Sequence, residues 1–412
     1  MNELHVAVID EELPWPPISG KRIRTMGLLS RLAERHRITY VCHQNNDPDE
    51  GRAAAAHFRS LGIQPVVVER RVPPKSGLGF CARLFANLFS PLPYSVASHS
   101  SPEMDAALER LSRTGGVDLW HVEWTPYAHA LRNIPGRRLV MAHNVESVIW
   151  QRYVETERNP LKRWYMARQW RKFIAFERGA VGRADLTVAV SGLDAERFRD
   201  MGAADVQVVD NGVDTACFAP AGVRRRPEVL LFVGSLEWRP NLDGAAQLLE
   251  KVFPAVRAEV PEAELWLVGR NPPRWLRDAA SRPGVKVHAD VPDVRPFLHQ
   301  AGQLVVPLRI GGGSRLKILE ALACGTPVVS TAVGAEGLEL DERHLDTVPD
   351  VDSLAEAVIA SMSDPRRART KAGEGRRRVL ARYDWGPLAD KLEGLWHECA
   401  DARARRLEGA AR

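Results

Sequence analysis

Pro307-Leu308-Arg309-Ile310-Gly311-Gly312-Gly313-Ser314-Arg315-Leu316-Lys317-Ile318-Leu319-Glu320-Ala321-Leu322 joins an apolar run to an apolar-faced helix through three glycines. Residues 304–308 read as a buried strand, and Leu316, Ile318, Leu319 and Leu322 as the inward face of the following helix. Strand, Gly-rich turn and helix, in that order, is the repeating unit of a parallel sheet. A turn without side chains lets backbone N–H groups approach a phosphate, and the helix N-terminus adds its positive dipole end. Arg315 and Lys317 place fixed positive charge in the first turn, and Glu320 follows one turn on. The stretch reads as a site for a diphosphate joined to a sugar or ribose. The plainer alternative is a loop before an amphipathic helix, with both cations solvated. Three consecutive glycines cost unfolded-state entropy unless the backbone does something unusual, which favours the phosphate reading.

The same alternation runs through the whole chain. Strands are expected at 5–9, 38–42, 65–68, 118–122, 138–142, 186–190 and 206–209, with helices in most gaps, among them 22–34 and 103–112. The pattern breaks into Ala, Pro, Gly and Arg over 214–227, as a linker would. A second series follows at 229–233, 264–268, 285–288, 304–306 and 328–330. This is an α/β chain of two doubly wound, Rossmann-like parallel sheets facing a central cleft. The domains are expected at 1–215 and 216–384, with 385–412 a helix crossing back to the first. Ligands in such sheets sit beyond the carboxyl ends of the strands.

Composition limits the rest. At 412 residues, two domains are the natural prior, and 45% hydrophobic with 26% charged residues is an ordinary globular balance. No run of 18 apolar residues occurs, and the chain opens directly on a strand, so neither a spanning helix nor a signal peptide is expected. Five scattered cysteines form neither a disulfide framework nor a metal motif, which suits a reducing cytoplasm. Nine of the 57 basic residues are lysine, leaving 48 arginines at a net charge of only +5. Arginine clusters such as Arg224-Arg225-Arg226 are therefore poor signs of nucleic-acid binding, and no nucleic-acid partner is expected. The scarcity of lysine makes Lys317 more informative.

Other candidates follow strands. Ser19-Gly20-Lys21 closes a Pro-rich loop, and the Gly20 N–H, with Lys21 beside it, either meets a phosphate or only starts a helix. His143, after strand 138–142, either serves a sugar hydroxyl or leaving oxygen, or caps the next helix with Asn144 or Glu146. Asp210-Asn211-Gly212-Val213-Asp214 reads as a tight turn. Gly234 directly follows strand 229–233 and is a further candidate. On helix 161–179, Met166, Trp170, Phe173 and Ile174 share one face and Arg168, Arg171 and Lys172 the other. That helix either packs in the core or touches an anionic membrane. Asp47-Pro48-Asp49 and Asp350-Val351-Asp352 precede helical patterns and read as caps, so no metal is assigned.

With these motifs in order, the chain resembles the retaining glycosyltransferases of family four, with the GT-B fold, over nearly its whole length. The resemblance rests on Val190-Ser191, on Asp210-Asn211-Gly212-Val213-Asp214 with Phe218 and Pro220, and on Leu319-Glu320-Ala321-Leu322-Ala323-Cys324-Gly325-Thr326-Pro327-Val328-Val329. Tyr383-Asp384-Trp385 matches the family's late Trp. The Gly-Gly-Gly-Ser-Arg-Leu-Lys run looks like a bacterial subgroup tied to exopolysaccharide assembly. By resemblance, Glu320 holds the ribose of a donor nucleotide and His143 lies near the donor sugar. The family's first Glu would fall at Gly312, and its Arg and Lys at Ser235 and Pro240, so all three are absent. The Gly312 and Gly313 N–H groups are offered as replacement for the Glu, and Arg315 with Lys317 for the basic pair.

The resemblance implies transfer of a sugar from a nucleotide-diphosphate donor to a glycan or lipid-linked acceptor hydroxyl, with anomeric configuration retained. His143, Arg315 and Lys317 would be the catalytic groups. Gly20, Lys21, Gly234, Gly311, Gly312, Gly313, Ser314 and Glu320 would bind the donor, with no metal or cofactor. The alternatives are a sugar-nucleotide epimerase of the same architecture and a non-catalytic nucleotide-sugar binder. A nicotinamide dehydrogenase is disfavoured because no Gly-x-Gly-x-x-Gly follows the first strand.

Overall fold

The computed structural model describes residues 2–410 other than 71, 72, 75, 115 and 311–315, with side chains through residue 401. Two compact units share the chain: Met1–Asp210 with Gly386–Arg412, and Asn211–Trp385.

The first unit is built on seven parallel strands. These are β1 (His5–Asp10), β2 (Arg37–His43), β3 (Gln64–Val68), β4 (Leu119–Val122), β5 (Arg138–Ala142), β6 (Leu186–Ala189) and β7 (Val206–Val208), in the order β3-β2-β1-β4-β5-β6-β7. Every residue of β1, β4, and β6 is buried. Strands covered on both faces read as continuous runs rather than alternating ones. Ile9, Val41, Trp120, Val122 and Val140 belong to one core cluster. Each such side chain contributes about 1.5–3 kcal/mol when fully buried. The core thereby holds the strand ends that carry polar residues.

The second unit has six parallel strands: β8 (Arg226–Val233), β9 (Glu264–Gly269), β10 (Val285–Ala289), β11 (Ala301–Val306), β12 (Val328–Thr331) and β13 (Asp346–Val348), in the order β10-β9-β8-β11-β12-β13. The sequence reading missed β13. It is a three-residue edge strand, Asp-Thr-Val, with no fully buried residue and so no apolar run. Phe232, Leu248, Leu267, Val305 and Val329 anchor this core.

In each sheet the strand order turns back between two central strands, β1 and β4 in one, β8 and β11 in the other. The flanking crossovers diverge at that point and leave a crevice beyond the carboxyl ends. Asp10 ends β1, and Glu123 and Trp124 follow β4. Gly234 follows β8, and Pro307 with the Gly-rich stretch follows β11.

Helix Pro160–Val181 contains the 161–179 segment. Phe173 is buried and stacks on Trp150 at 5.7 Å between ring centres, while Met166, Trp170 and Ile174 are half-buried. The expected apolar stripe therefore packs inward. On the other face, Arg168 donates to the Leu88 carbonyl at 2.9 Å, and the Lys172 ammonium donates to the Asn87 carbonyl. Asp47 caps helix Pro48–Ser60, accepting from the Asp49 and Glu50 N–H groups. Asp350 accepts from the Ser353 N–H and hydroxyl. The last helix, Trp385–Ala410, buries Leu388, Leu392 and Trp396.

Candidate functional site

In the second unit the turn after β8 is crowded. A Cβ on Gly234 would lie 2.7 Å from Asn241 Nδ2 and 3.0 Å from Lys317 Nζ, so a larger residue there would have to displace these two side chains. Asn241 is buried on helix Arg239–Gln247. Its Nδ2 donates to the Ser235 carbonyl at 2.9 Å, and its Oδ1 accepts from the Lys317 ammonium at 2.9 Å. The same ammonium lies 4.5 Å from the centre of the Phe232 ring, a cation–π contact. Lys317 is on helix Leu316–Ala323, after β11, yet it brings its charge to the turn after β8. That is the neighbourhood of Ser235 and Pro240, where the family resemblance finds its basic pair missing. Glu320, one turn further along the helix, is half-buried. Burial pushes its carboxyl up to about 7, against the opposing pull of Lys317. The structure thus brings Gly234, Lys317 and Glu320 together at the switch point of this sheet.

Gly311, Gly312, Gly313, Ser314 and Arg315 lie outside the described residues. The chain on both sides of them is fixed. The Leu308 carbonyl accepts from the Thr331 hydroxyl at 2.6 Å, and Arg309 pairs with Asp243 through two hydrogen bonds of 3.0 and 2.5 Å. Leu316 is buried where the helix begins.

In the first unit, Gly20 is exposed at the start of helix Gly20–Leu32, and Ser19 is the N-cap. Lys21 turns back to β1. Its ammonium pairs with Asp10, lies 3.8 Å from Glu11 Oε2, and sits 5.2 Å from the centre of the Trp124 ring. The Asp10 carboxylate also accepts from the Tyr40 hydroxyl at 2.6 Å. Lys21 is therefore matched by carboxylates of its own unit.

His143 lies in the turn after β5, with Nε2 3.2 Å from Glu123 Oε1. The capping alternative fails at this residue. Helix Glu146–Thr156 has its first N–H groups taken by Glu177, whose carboxylate accepts from Glu146 N at 2.7 Å and Ser147 N at 3.0 Å. Burial raises the Glu177 carboxyl to about 7, with those hydrogen bonds opposing the rise.

Glu123 is the residue the sequence reading missed. It is fully buried and accepts from the Thr25 hydroxyl at 2.7 Å. His121 Nε2 lies 2.8 Å from its second oxygen. The indole N–H of Trp396 donates to His121 Nδ1 at 3.0 Å. Indole only donates, so His121 Nδ1 is the acceptor and the proton of the neutral ring sits on Nε2. Burial pushes the Glu123 carboxyl up, but its contacts with the His121 and His143 imidazoles outweigh it and hold Glu123 well below the usual carboxylate range. A line of contacts thus runs from the last helix, through His121 and Glu123, to His143. The only sequence signal was a carboxylate one residue beyond β4.

The turn 210–214 and the late Tyr383-Asp384 meet where the chain enters and leaves the second unit. Val213 N–H donates to the Tyr383 carbonyl at 2.7 Å, and the Thr215 hydroxyl donates to Asp384 at 2.6 Å. On the first-unit side, the buried Arg24 donates to the Asp210 and Val209 carbonyls at 2.6 and 2.8 Å.

Two family models match the chain: "Glycosyltransferase Family 4" over residues 18–216 and "Glycosyl transferases group 1" over residues 227–364. Among similar proteins is a glycogen synthase of Mycobacterium tuberculosis, 32% identical over 200 residues, which are 46% of this chain and 47% of that one. Another is the GDP-mannose-dependent alpha-(1-6)-phosphatidylinositol monomannoside mannosyltransferase of Mycolicibacterium smegmatis. It is 30% identical over 249 residues, 53% of this chain and 64% of that one. The chain spans about half the length of the curated relatives it matches. Among solved structures, the sucrose-phosphate synthase of Thermosynechococcus elongatus superposes with a TM-score of 0.72 at 20% identity, covering 97% of this chain and 100% of that one.

Proposed function

The chain belongs to the family-four glycosyltransferases and has their GT-B fold, and on that premise we propose that it moves a sugar from a nucleoside diphosphate to an acceptor hydroxyl with retention of configuration. One observation carries the reading. Lys317 holds its ammonium beside Gly234 at the switch point of the second sheet, with Glu320 one helical turn away. A diphosphate seated there gains charge on its leaving oxygen as the sugar departs. Donors already aimed at that oxygen are usually the largest catalytic term, each worth about 10²–10³ in rate. Lys317, Arg315 and the Gly311, Gly312 and Gly313 N–H groups supply them in this reading, with Ser314 beside them. No metal is required, because the positive charge is built into the chain.

Glu320 accepts from the ribose hydroxyls. His143, oriented by Glu123, donates to or accepts from the sugar. The leaving phosphate takes the proton of the incoming hydroxyl, so no side-chain nucleophile is assigned. The acceptor is a glycan or a lipid-linked sugar, and the mycobacterial relative named for a phosphatidylinositol mannoside acceptor supports the lipid option. We place the reaction in the cytoplasm, at the inner face of the cell membrane, in exopolysaccharide or cell-envelope glycan synthesis.

The test is donor consumption by wild type and Lys317→Ala, with and without acceptor and with and without chelator. The reading predicts acceptor-dependent turnover, insensitive to chelator, that falls by about 10²-fold or more in the variant. Consumption without acceptor would instead indicate an epimerase. Nucleotide binding without any turnover would indicate a non-catalytic binder, and abolition by chelator would overturn the metal-free claim.

A further inference from the structure

The first unit carries an inverted helix. In Gly77–Asn87, sequence Gly-Leu-Gly-Phe-Cys-Ala-Arg-Leu-Phe-Ala-Asn, the one fully buried residue is Asn87. Its side chain donates to the Leu92 carbonyl at 3.0 Å and accepts from Gln169 at 2.9 Å, on helix Pro160–Val181. The polar end is thus anchored, Phe80 and Leu84 are half-buried, and Leu78 and Phe85 face outward. Leu78, Phe85 and Phe89, with Leu161 and Trp164 from the start of helix Pro160–Val181, keep 55–90% of their surface exposed. Arg168 and Lys172 tie the two segments together through the Leu88 and Asn87 carbonyls.

The two segments that carry this apolar group are basic along the sequence. Residues 76–102 and 158–176 contain seven Lys or Arg and no Asp or Glu. Lys162, Arg163, Arg168 and Arg171 are exposed. Exposed aromatic and leucine side chains with cations beside them fit a surface that is apolar below and anionic above, which describes an anionic lipid leaflet. A second copy of the chain is disfavoured, because a two-fold contact would set these cations against their own equivalents.

We propose that Leu78, Phe85, Phe89, Leu161 and Trp164, with the cations beside them, dock the first unit on an anionic membrane surface. The contact lies on helix Gly77–Asn87 and the first turns of helix Pro160–Val181, rather than on the stripe of Met166, Trp170, Phe173 and Ile174. It is a contact at the surface; among the described residues no helix is long and apolar enough to cross a membrane. The inference needs no sugar donor and stands apart from the transfer reaction.

Co-sedimentation of the full chain with phosphatidylcholine vesicles, with and without phosphatidylglycerol, tests it. Wild type should sediment with the anionic vesicles, much less with phosphatidylcholine alone, and less as salt rises. Phe85→Ser with Phe89→Ser, and separately Lys162→Glu with Arg163→Glu, should each lower the partition coefficient by about tenfold or more. All four positions are exposed, so thermal unfolding should match wild type and show that the variants fold. Wild type remaining in the supernatant with anionic vesicles would overturn the proposal. So would variants that sediment like wild type, or a wild-type dimer that the Phe substitutions abolish.

Discussion

Lys317 meets an amide oxygen, a glycine and an aromatic face, and that leaves its ammonium little freedom to lose on binding a diphosphate. A surface lysine would have to be ordered first. Glu123 does the corresponding work for His143 from the interior. Glu123→Gln keeps the shape but removes the charge that the two imidazoles and Thr25 face. We expect a folded variant whose stability falls by about 1–3 kcal/mol. Its turnover should fall by about 10–100-fold with an altered pH profile, while nucleotide affinity stays the same. A wild-type pH–rate profile in that variant would remove Glu123 from the account. Glu320 gives a second test. Its carboxyl sits near 7 in the folded chain, above its ordinary value, so the fold holds this proton more tightly than the unfolded chain does. The associated stability is fully present below about 4.5 and is lost as pH rises towards 7. Glu320→Gln lacks that loss, so its melting temperature relative to wild type should rise between pH 5 and pH 8. A constant difference across that range would contradict the assignment. Lys317, Glu320 and His143 were legible in the sequence because each follows a strand in a motif. Glu123 was not, because its partners Thr25 and His143, and Trp396 behind His121, come from distant segments and meet only in the fold.

Elements buried on both faces announce themselves as unbroken apolar runs, which is why β1, β5 and β8 could be read within a few residues of their ends. β13 could not, since an edge strand of three residues, two half-buried and one exposed, carries no such run. The inward stripe on helix Pro160–Val181 was legible as a periodicity, but whether core or lipid covered it was not. Packing against Trp150 decided that. Helix Gly77–Asn87 left no usable signal, because an apolar helix facing outward reads the same as one facing inward. The last helix tests how far an element from the end of the chain supports the first sheet. Trp396 is fully buried there. Trp396→Ala should cost about 3–5 kcal/mol in denaturant unfolding. Trp396→Phe fills most of the same space and loses only the hydrogen bond to His121, at a cost of about 1 kcal/mol. Equal losses in the two variants would mean that packing and hydrogen bond are not separable as described.

For the molecule as a whole, each unit has its own sheet, core and switch point, and the chain passes between them twice; within the second unit Val213 bonds to Tyr383 and Thr215 to Asp384. The nucleotide-binding part of the donor assignment rests on Lys317 and Glu320 of the second unit and can be tested without knowing the acceptor. Its central claim is that Lys317 replaces a basic pair lost from the turn after β8. A thermal-shift titration of nucleoside diphosphates and their sugars against wild type and Lys317→Ala tests this most directly. The account predicts saturable stabilisation of wild type by at least one of them, with affinity in the variant weakened by about 10–100-fold, as expected for loss of a charge-assisted contact. Equal stabilisation of the two proteins would contradict it.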